Sequence, residues 1–220
     1  MCDQFIIRSM GRFGLAAWLL LMMGSSLAGQ AIEFESGGLK YQTLTRAGIT
    51  IMFAELPTTV REYAVLQIAV SNGSPSNRTI KPEDFHFVRA DGAELAAAPA
   101  RNVVGEFLQK GGRNDVIRLV STYESGLYGM GKFRSTNGYE QRRQQAMAEM
   151  TNTKLKAAAA ASAIVFVQTR LNSGQSTDGA VFFPTQGRPL GAGKLVASLG
   201  TERFEFEVGG LKHPGDLKIR

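Results

Sequence analysis

A chain of 220 residues, 44% hydrophobic and 20% charged, holds enough apolar material for one well-packed domain and lacks the polar bias of a disordered one. Its net charge of +6 comes from lysines and arginines scattered along the chain without long like-charge blocks, which argues against nucleic acid as a partner. Cys2 is the single cysteine and lies in the N-terminal segment expected to be removed, so the mature chain would hold none, which excludes disulfides, thiolate metal sites and cysteine catalysis there.

The N-terminus reads as a targeting segment. Arg8 and Arg12 precede an uninterrupted apolar run at residues 15–23, and small residues follow. This three-part pattern predicts a secretory signal peptide over residues 1–31, cut after Ala28 or Ala31, with Met10 as an alternative start. An uncleaved anchor is the competing reading, although the run falls short of the ~20 residues that span a bilayer. Membrane attachment is expected only through this segment, if it is retained. Cys2 precedes the apolar run, so no lipobox is present.

From residue 33 to 90 the chain reads as strands. Residues 39–46 alternate, Ala47-Gly48 makes a break, and Ile49, Ile51 and Phe53 resume the alternation, which predicts a hairpin. Residues 63–70 (YAVLQIAV) form the strongest β segment, with Leu66, Ile68 and Val70 on one face and Val65 and Gln67 on the other. Residues 71–77 (SNGSPSN) are a turn by composition. Phe85 and Phe87 mark another strand, closed by Asp91-Gly92.

The rhythm then changes. Val103, Val104, Phe107 and Leu108 sit at helical spacing up to Gly111-Gly112, and Val116, Ile117, Val120 and Tyr123 repeat it, with Asp115 favouring the N-terminal dipole. Residues 126–138 (GLYGMGKFRSTNG) are predicted as a loop. Asn137 with Glu140 resembles a capping box before a helix over 138–150. Thr151-Asn152-Thr153 could cap the next helix, whose run KLKAAAAASA (154–163) is strongly helix-forming. Residues 164–167 stay open between helix and strand.

Strands return at 179–183, 194–198 and 203–208, where Phe204, Phe206 and Val208 alternate with Glu205 and Glu207. The segment 191–194 (GAGK) lacks P-loop spacing and is expected to be a hairpin loop. The order of strands, helices and strands predicts a mainly β protein, an antiparallel sandwich over 32–208 with a helical insertion at about 99–165 and a flexible tail at 209–220.

The stretch YAVLQIAVSNGSPSNRTIKPEDFHFVRADG (63–92) resembles small secreted bacterial immunoglobulin-like domains of extracellular and lipoprotein families. In these a "v-x-v-x-V-x-N" strand leads through a loop to "P-x-D-F-x-L-x-x-x-D-G". LNSGQSTDGAVFFP (171–184) resembles a late strand of the same domains. The resemblance implies an immunoglobulin-like sandwich and an extracytoplasmic home; it implies no activity.

Chemistry is sparse. Beyond the leader the histidines are His86 and His213, no G-x-S-x-G occurs, and neither a zinc nor an EF-hand spacing is present, so no metal or cofactor is expected. Asn72 and Asn77 fit the glycosylation sequon and read as turn residues. Glu205 and Glu207 share a strand face and could serve a carboxylate-dependent hydrolase of an envelope polymer, the alternative function. The preferred expectation is a non-enzymatic binding or structural module of the periplasm or cell surface. Its contact surface would be the aromatic and cationic cluster of Tyr123, Tyr128, Phe133, Arg134, Tyr139 and Arg142, which suits a protein or an envelope polymer.

Overall fold

In the computed structural model, residues 31–129, 138, 141–142, 144–145 and 151–209 are described, all within one compact unit that begins at Ala31. The architecture is mainly β, with antiparallel sheets. Strands β1 (Ile32–Ser36), β2 (Leu39–Arg46), β3 (Ile49–Glu55), β4 (Tyr63–Asn72), β5 (Arg78–Ile80), β6 (Phe85–Arg89) and β7 (Glu94–Ala96) come first. Helices α1 (Ala100–Lys110), α2 (Arg113–Gly129) and α3 (Thr153–Ile164) follow. Strands β8 (Thr169–Leu171), β9 (Ser176–Pro184), β10 (Gly193–Leu199) and β11 (Glu202–Val208) close the series.

A five-stranded sheet runs β1-β2-β3-β4-β9, a four-stranded sheet runs β11-β10-β6-β7, and β5 pairs with β8. The β2–β3 hairpin turns on Ala47 and Gly48, both at positive φ (46° and 76°), the geometry that matches strand twist in a two-residue hairpin. A side chain at Gly48 would press on the Ser74 backbone, at 2.9 Å from its nitrogen, so glycine is required there for space as well as for φ. The next turn is held by Asn72. Its buried side chain donates to the carbonyls of Ser76 and Leu171 and accepts from the Ser74 amide and hydroxyl. This sequon asparagine therefore has a structural role.

Alternation decides the layering. Leu66, Ile68 and Val70 of β4 join Ile49, Ile51 and Phe53 of β3 on the inner face of the larger sheet. They meet Phe85, Phe87, Leu195, Phe204 and Phe206 of the smaller sheet, with edge-on ring contacts between Phe53 and Phe206 (5.0 Å) and between Phe87 and Phe183 (6.3 Å). Each such side chain contributes roughly 1.5–3 kcal/mol by leaving water. The outer face of the larger sheet carries Tyr41, Met52, Val65 and Phe182, and the helices cover it with Val103, Phe107, Leu119 and the alanines of α3. The helical block is thus a cover over one sheet face.

The alanine run works through closeness. Ala157, Ala160 and Ala161 are fully buried, and a Cβ at Gly111 would lie 2.5 Å from that of Ala157. Small residues at this crossing let α3 approach the end of α1. Asn152 caps α3 as expected, accepting from the amides of Lys154 and Leu155. After Ile164 the chain becomes extended, and Val165 bridges to Ala180 in parallel.

Two expectations need correction. The loop set at 126–138 begins later, because α2 continues to Gly129. The helix runs through its glycines at a cost of about 1 kcal/mol each. The GAGK segment is not a hairpin loop: its first two residues end the crossing from β9 in one sheet to β10 in the other, and Gly193 and Lys194 begin β10. Glycine is needed at its Gly193, where a Cβ would stand 2.4 Å from the Val88 carbonyl oxygen.

Candidate functional site

The inner face of the five-stranded sheet changes character at one end. Along β3 the inward positions read Ile49, Ile51, Phe53 and then Glu55. Across β2 the residues paired with Phe53 and beside Glu55 are Gln42 and Lys40, and on β1 their partners are Glu33 and Glu35. Two polar rungs result: Glu33–Gln42–Phe53 and Glu35–Lys40–Glu55. The smaller sheet ends beside them at Val208, which leaves these rungs uncovered.

The outcome is an open groove of about 400 Å³. Its larger-sheet wall holds Glu33, Glu35, Lys40, Gln42 and Glu55, while Leu39, Phe53 and Pro57 supply apolar surface; Val208, Gly209 and part of Glu207 form the facing wall. Gln42 crosses the groove to donate to the Glu207 carbonyl at 2.6 Å, and Arg46 donates to the Arg203 carbonyl at 2.7 Å. These two side chains satisfy outward carbonyls on the edge of β11 and tie the sheets together.

Three carboxylates face one ammonium here, in a chain whose overall charge is positive. The local sign of charge is therefore opposite to the global one. Glu55 sits deepest: burial pushes its carboxyl up to about 7. On the opposite face of the same strands, Phe34 stacks on Tyr41 with ring centres 5.2 Å apart and an interplanar angle of 12°. Burial also pushes the Tyr41 phenol up to about 12.

The carboxylate pair of the alternative reading lies elsewhere. Glu205 and Glu207 occupy the exposed outer face of β11, with side chains 44% and 77% accessible. Lys194 pairs with Glu207 at 3.0 Å and Glu205 at 3.9 Å, and Arg203 meets Glu205 at 2.8 Å. The Glu207 carboxylate thus points away from the groove that its backbone lines. His86 is half-buried between Phe85 and Phe87, both of which turn inward. Among the described residues, no group of three or more His, Cys, Asp or Glu could hold a metal ion, and no helix is long and apolar enough to cross a membrane.

The predicted contact cluster is only partly placed. Tyr123 and Tyr128 lie on α2, with side chains outside the described set, and Phe133, Arg134 and Tyr139 lie outside the described residues altogether. Arg142 is half-buried and donates to the Ser162 carbonyl at 3.4 Å, which ties it to the last turn of α3.

A second charged cluster locks the helices to the sheet. Arg61 meets Asp115 at 3.0 Å and Glu106 at 3.6 Å, and also donates to the Lys110 carbonyl. Tyr63 donates to Glu106 at 2.7 Å, and Asp115 accepts from the Gly112 amide. Burial and the neighbouring Glu106 raise the Tyr63 phenol well above its ordinary range. Every member has a partner inside the protein, so this cluster serves cohesion.

Sequence reasoning missed the groove. The available signal was an acid at an inward phase: ITIMFAE places Glu55 where the alternation calls for an apolar residue.

No family model and no curated protein matches the chain. Among solved structures, the yjhA protein from Bacillus subtilis is similar at a TM-score of 0.31 and 9% identity over 76% of each chain, too slight a likeness to carry an argument.

Proposed function

We propose that this chain is an exported, non-enzymatic binding module, an immunoglobulin-like sandwich with a helical cover, whose groove captures an extended basic segment of a partner protein. The observation that carries this reading is the acid-lined groove beside the open edge of β1. Its carboxylates select lysine or arginine, and its apolar floor accepts their stems. The edge adds backbone hydrogen bonding, as in strand addition, which a small cation could not use. Export is supported by the leader-like pattern of residues 1–31.

The test is fluorescence anisotropy with a labelled peptide that alternates lysine and valine, beside one that alternates glutamate and valine. The basic peptide should bind and the acidic one should not. Each cross-strand charge pair is worth roughly 0.2–1 kcal/mol, so Glu33→Gln with Glu35→Gln should weaken binding by up to about thirtyfold. Alanine at Tyr128, Phe133 and Arg134 should leave binding unchanged. Equal binding of both peptides, or loss only in the alanine variant, would move the site to the aromatic cluster.

A further inference from the structure

The edge of β1 is the unprotected edge of the five-stranded sheet. At the opposite edge, β9 accepts backbone hydrogen bonds from Phe166 at Ala180 and from Ala98 at Phe182, each 2.8 Å long. The edge of β11 is covered by Gln42 and Arg46. Among the described residues, no backbone hydrogen bond reaches the outer side of β1, where Ile32 and Phe34 stand 65% and 40% exposed. A bare strand edge is a template for another strand.

The pattern of β1 specifies what fits. Ile32 and Phe34 point to the side of Tyr41, and Glu33 and Glu35 point into the groove. The complementary strand alternates apolar and basic residues. A second copy of β1 is unsuitable: antiparallel pairing about Phe34 sets Glu33 against Glu35 of the other copy, like against like. The chain carries a suitable sequence of its own at 217–220, Leu-Lys-Ile-Arg.

We propose that residues 217–220 dock as a sixth strand on the free edge of β1, with Leu217 and Ile219 beside Ile32 and Phe34 and with Lys218 and Arg220 beside Glu33 and Glu35. Glu33 and Glu35 flank Phe34 as Lys218 and Arg220 flank Ile219, so with Ile219 opposite Phe34 either strand direction makes both charge pairs, and the parallel one also sets Leu217 opposite Ile32. The rung Glu35–Lys40–Glu55 becomes a ladder of alternating sign. Reach is ample. Gly209 lines the same groove as Glu33 and Glu35, and the connection 209–216 can span roughly 25 Å, against the ~10 Å that separates stacked sheets. The proposal deepens the groove reading by naming the chain's own tail as an occupant that an outside segment must displace.

The test is disulfide trapping in the exported protein with Cys2→Ser. Phe34→Cys with Ile219→Cys should form an intrachain disulfide, because facing strand residues lie within bridging distance. Formation should be about tenfold faster than for Ile117→Cys with Ile219→Cys, a control at an exposed position of α2. Lys218→Glu with Arg220→Glu should reduce the rate to the control, and adding Glu33→Lys with Glu35→Lys should restore it. In the chain without cysteine insertions, the same tail reversal should speed amide exchange at Ile32–Ser36. Trapping at the control rate, a disulfide between two copies, failure of the double reversal to restore trapping, or unchanged exchange would each overturn the proposal. Binding of the basic peptide by a chain ending at Gly209 reads the groove separately, so tail docking can fail while the groove reading stands.

Discussion

β9 closes one edge of the five-stranded sheet under a covering segment, while β1 leaves the other edge open to solvent. Apart from terminal Ser176 and Pro184, the residues of β9 are buried along its length, and at Gly179 the covering chain comes so close that a Cβ would stand 2.7 Å from the Phe166 Cα. β1 has exposed residues on both faces, and its acids face a groove. The same sheet therefore has one edge closed within the protein and one without a backbone partner among the described residues. The difference arises from composition: the apolar continuity of AVFF in β9 suits a strand covered on both faces, whereas IEFE in β1 is compatible with water on both sides.

The largest effects should come from breaking the closed edge. Phe182→Ala should destabilise by about 4 kcal/mol in urea unfolding, since a fully buried ring that meets Tyr63 edge-on is lost. Gly179→Ala should cost about 3 kcal/mol, because the obstructing atoms belong to backbone.

An intermediate effect should come from the groove. The Glu55 carboxyl is raised from its ordinary 4.5 to about 7 in the folded protein, so the folded state keeps a proton that the unfolded state has already lost between those values. Stability should therefore fall as pH rises from about 4.5 to about 7. Glu55→Gln should remove this dependence and add about 1–2 kcal/mol at pH 8, after discounting for solvent screening. Affinity for a basic peptide should move the other way, rising as Glu55 loses its proton, and Glu55→Gln should flatten that rise too.

The smallest effect should come from the open edge itself. Phe34→Ala should cost about 0.5–1 kcal/mol, the worth of one cross-strand aromatic pair in which the Phe34 ring stays partly exposed. A cost as large as that of Phe182→Ala would show that the open edge carries the fold and would cancel the contrast.

Much of the fold was legible because long segments alternate without interruption. β4 and β11 stand out from YAVLQIAV and RFEFEV, and α3 from its alanines and the Asn152 cap. What stayed hidden depends on neighbours. β7, β5 and β8 have three residues each, too few to show a period, and they exist because β6 or each other supplies hydrogen bonds. The groove was illegible for a related reason. Glu55 marks an irregularity within one strand, but its meaning needs the end of β11, more than a hundred residues away in sequence, to stop short of it.

An NMR titration of the chain with the basic peptide tests the binding account most directly. Shifts concentrated at Glu33, Glu35, Lys40, Gln42 and Glu55, with β9 silent, are the predicted result. Shifts confined to α2 and the segment from Tyr128 to Arg142, with the β1 edge unmoved, would contradict it.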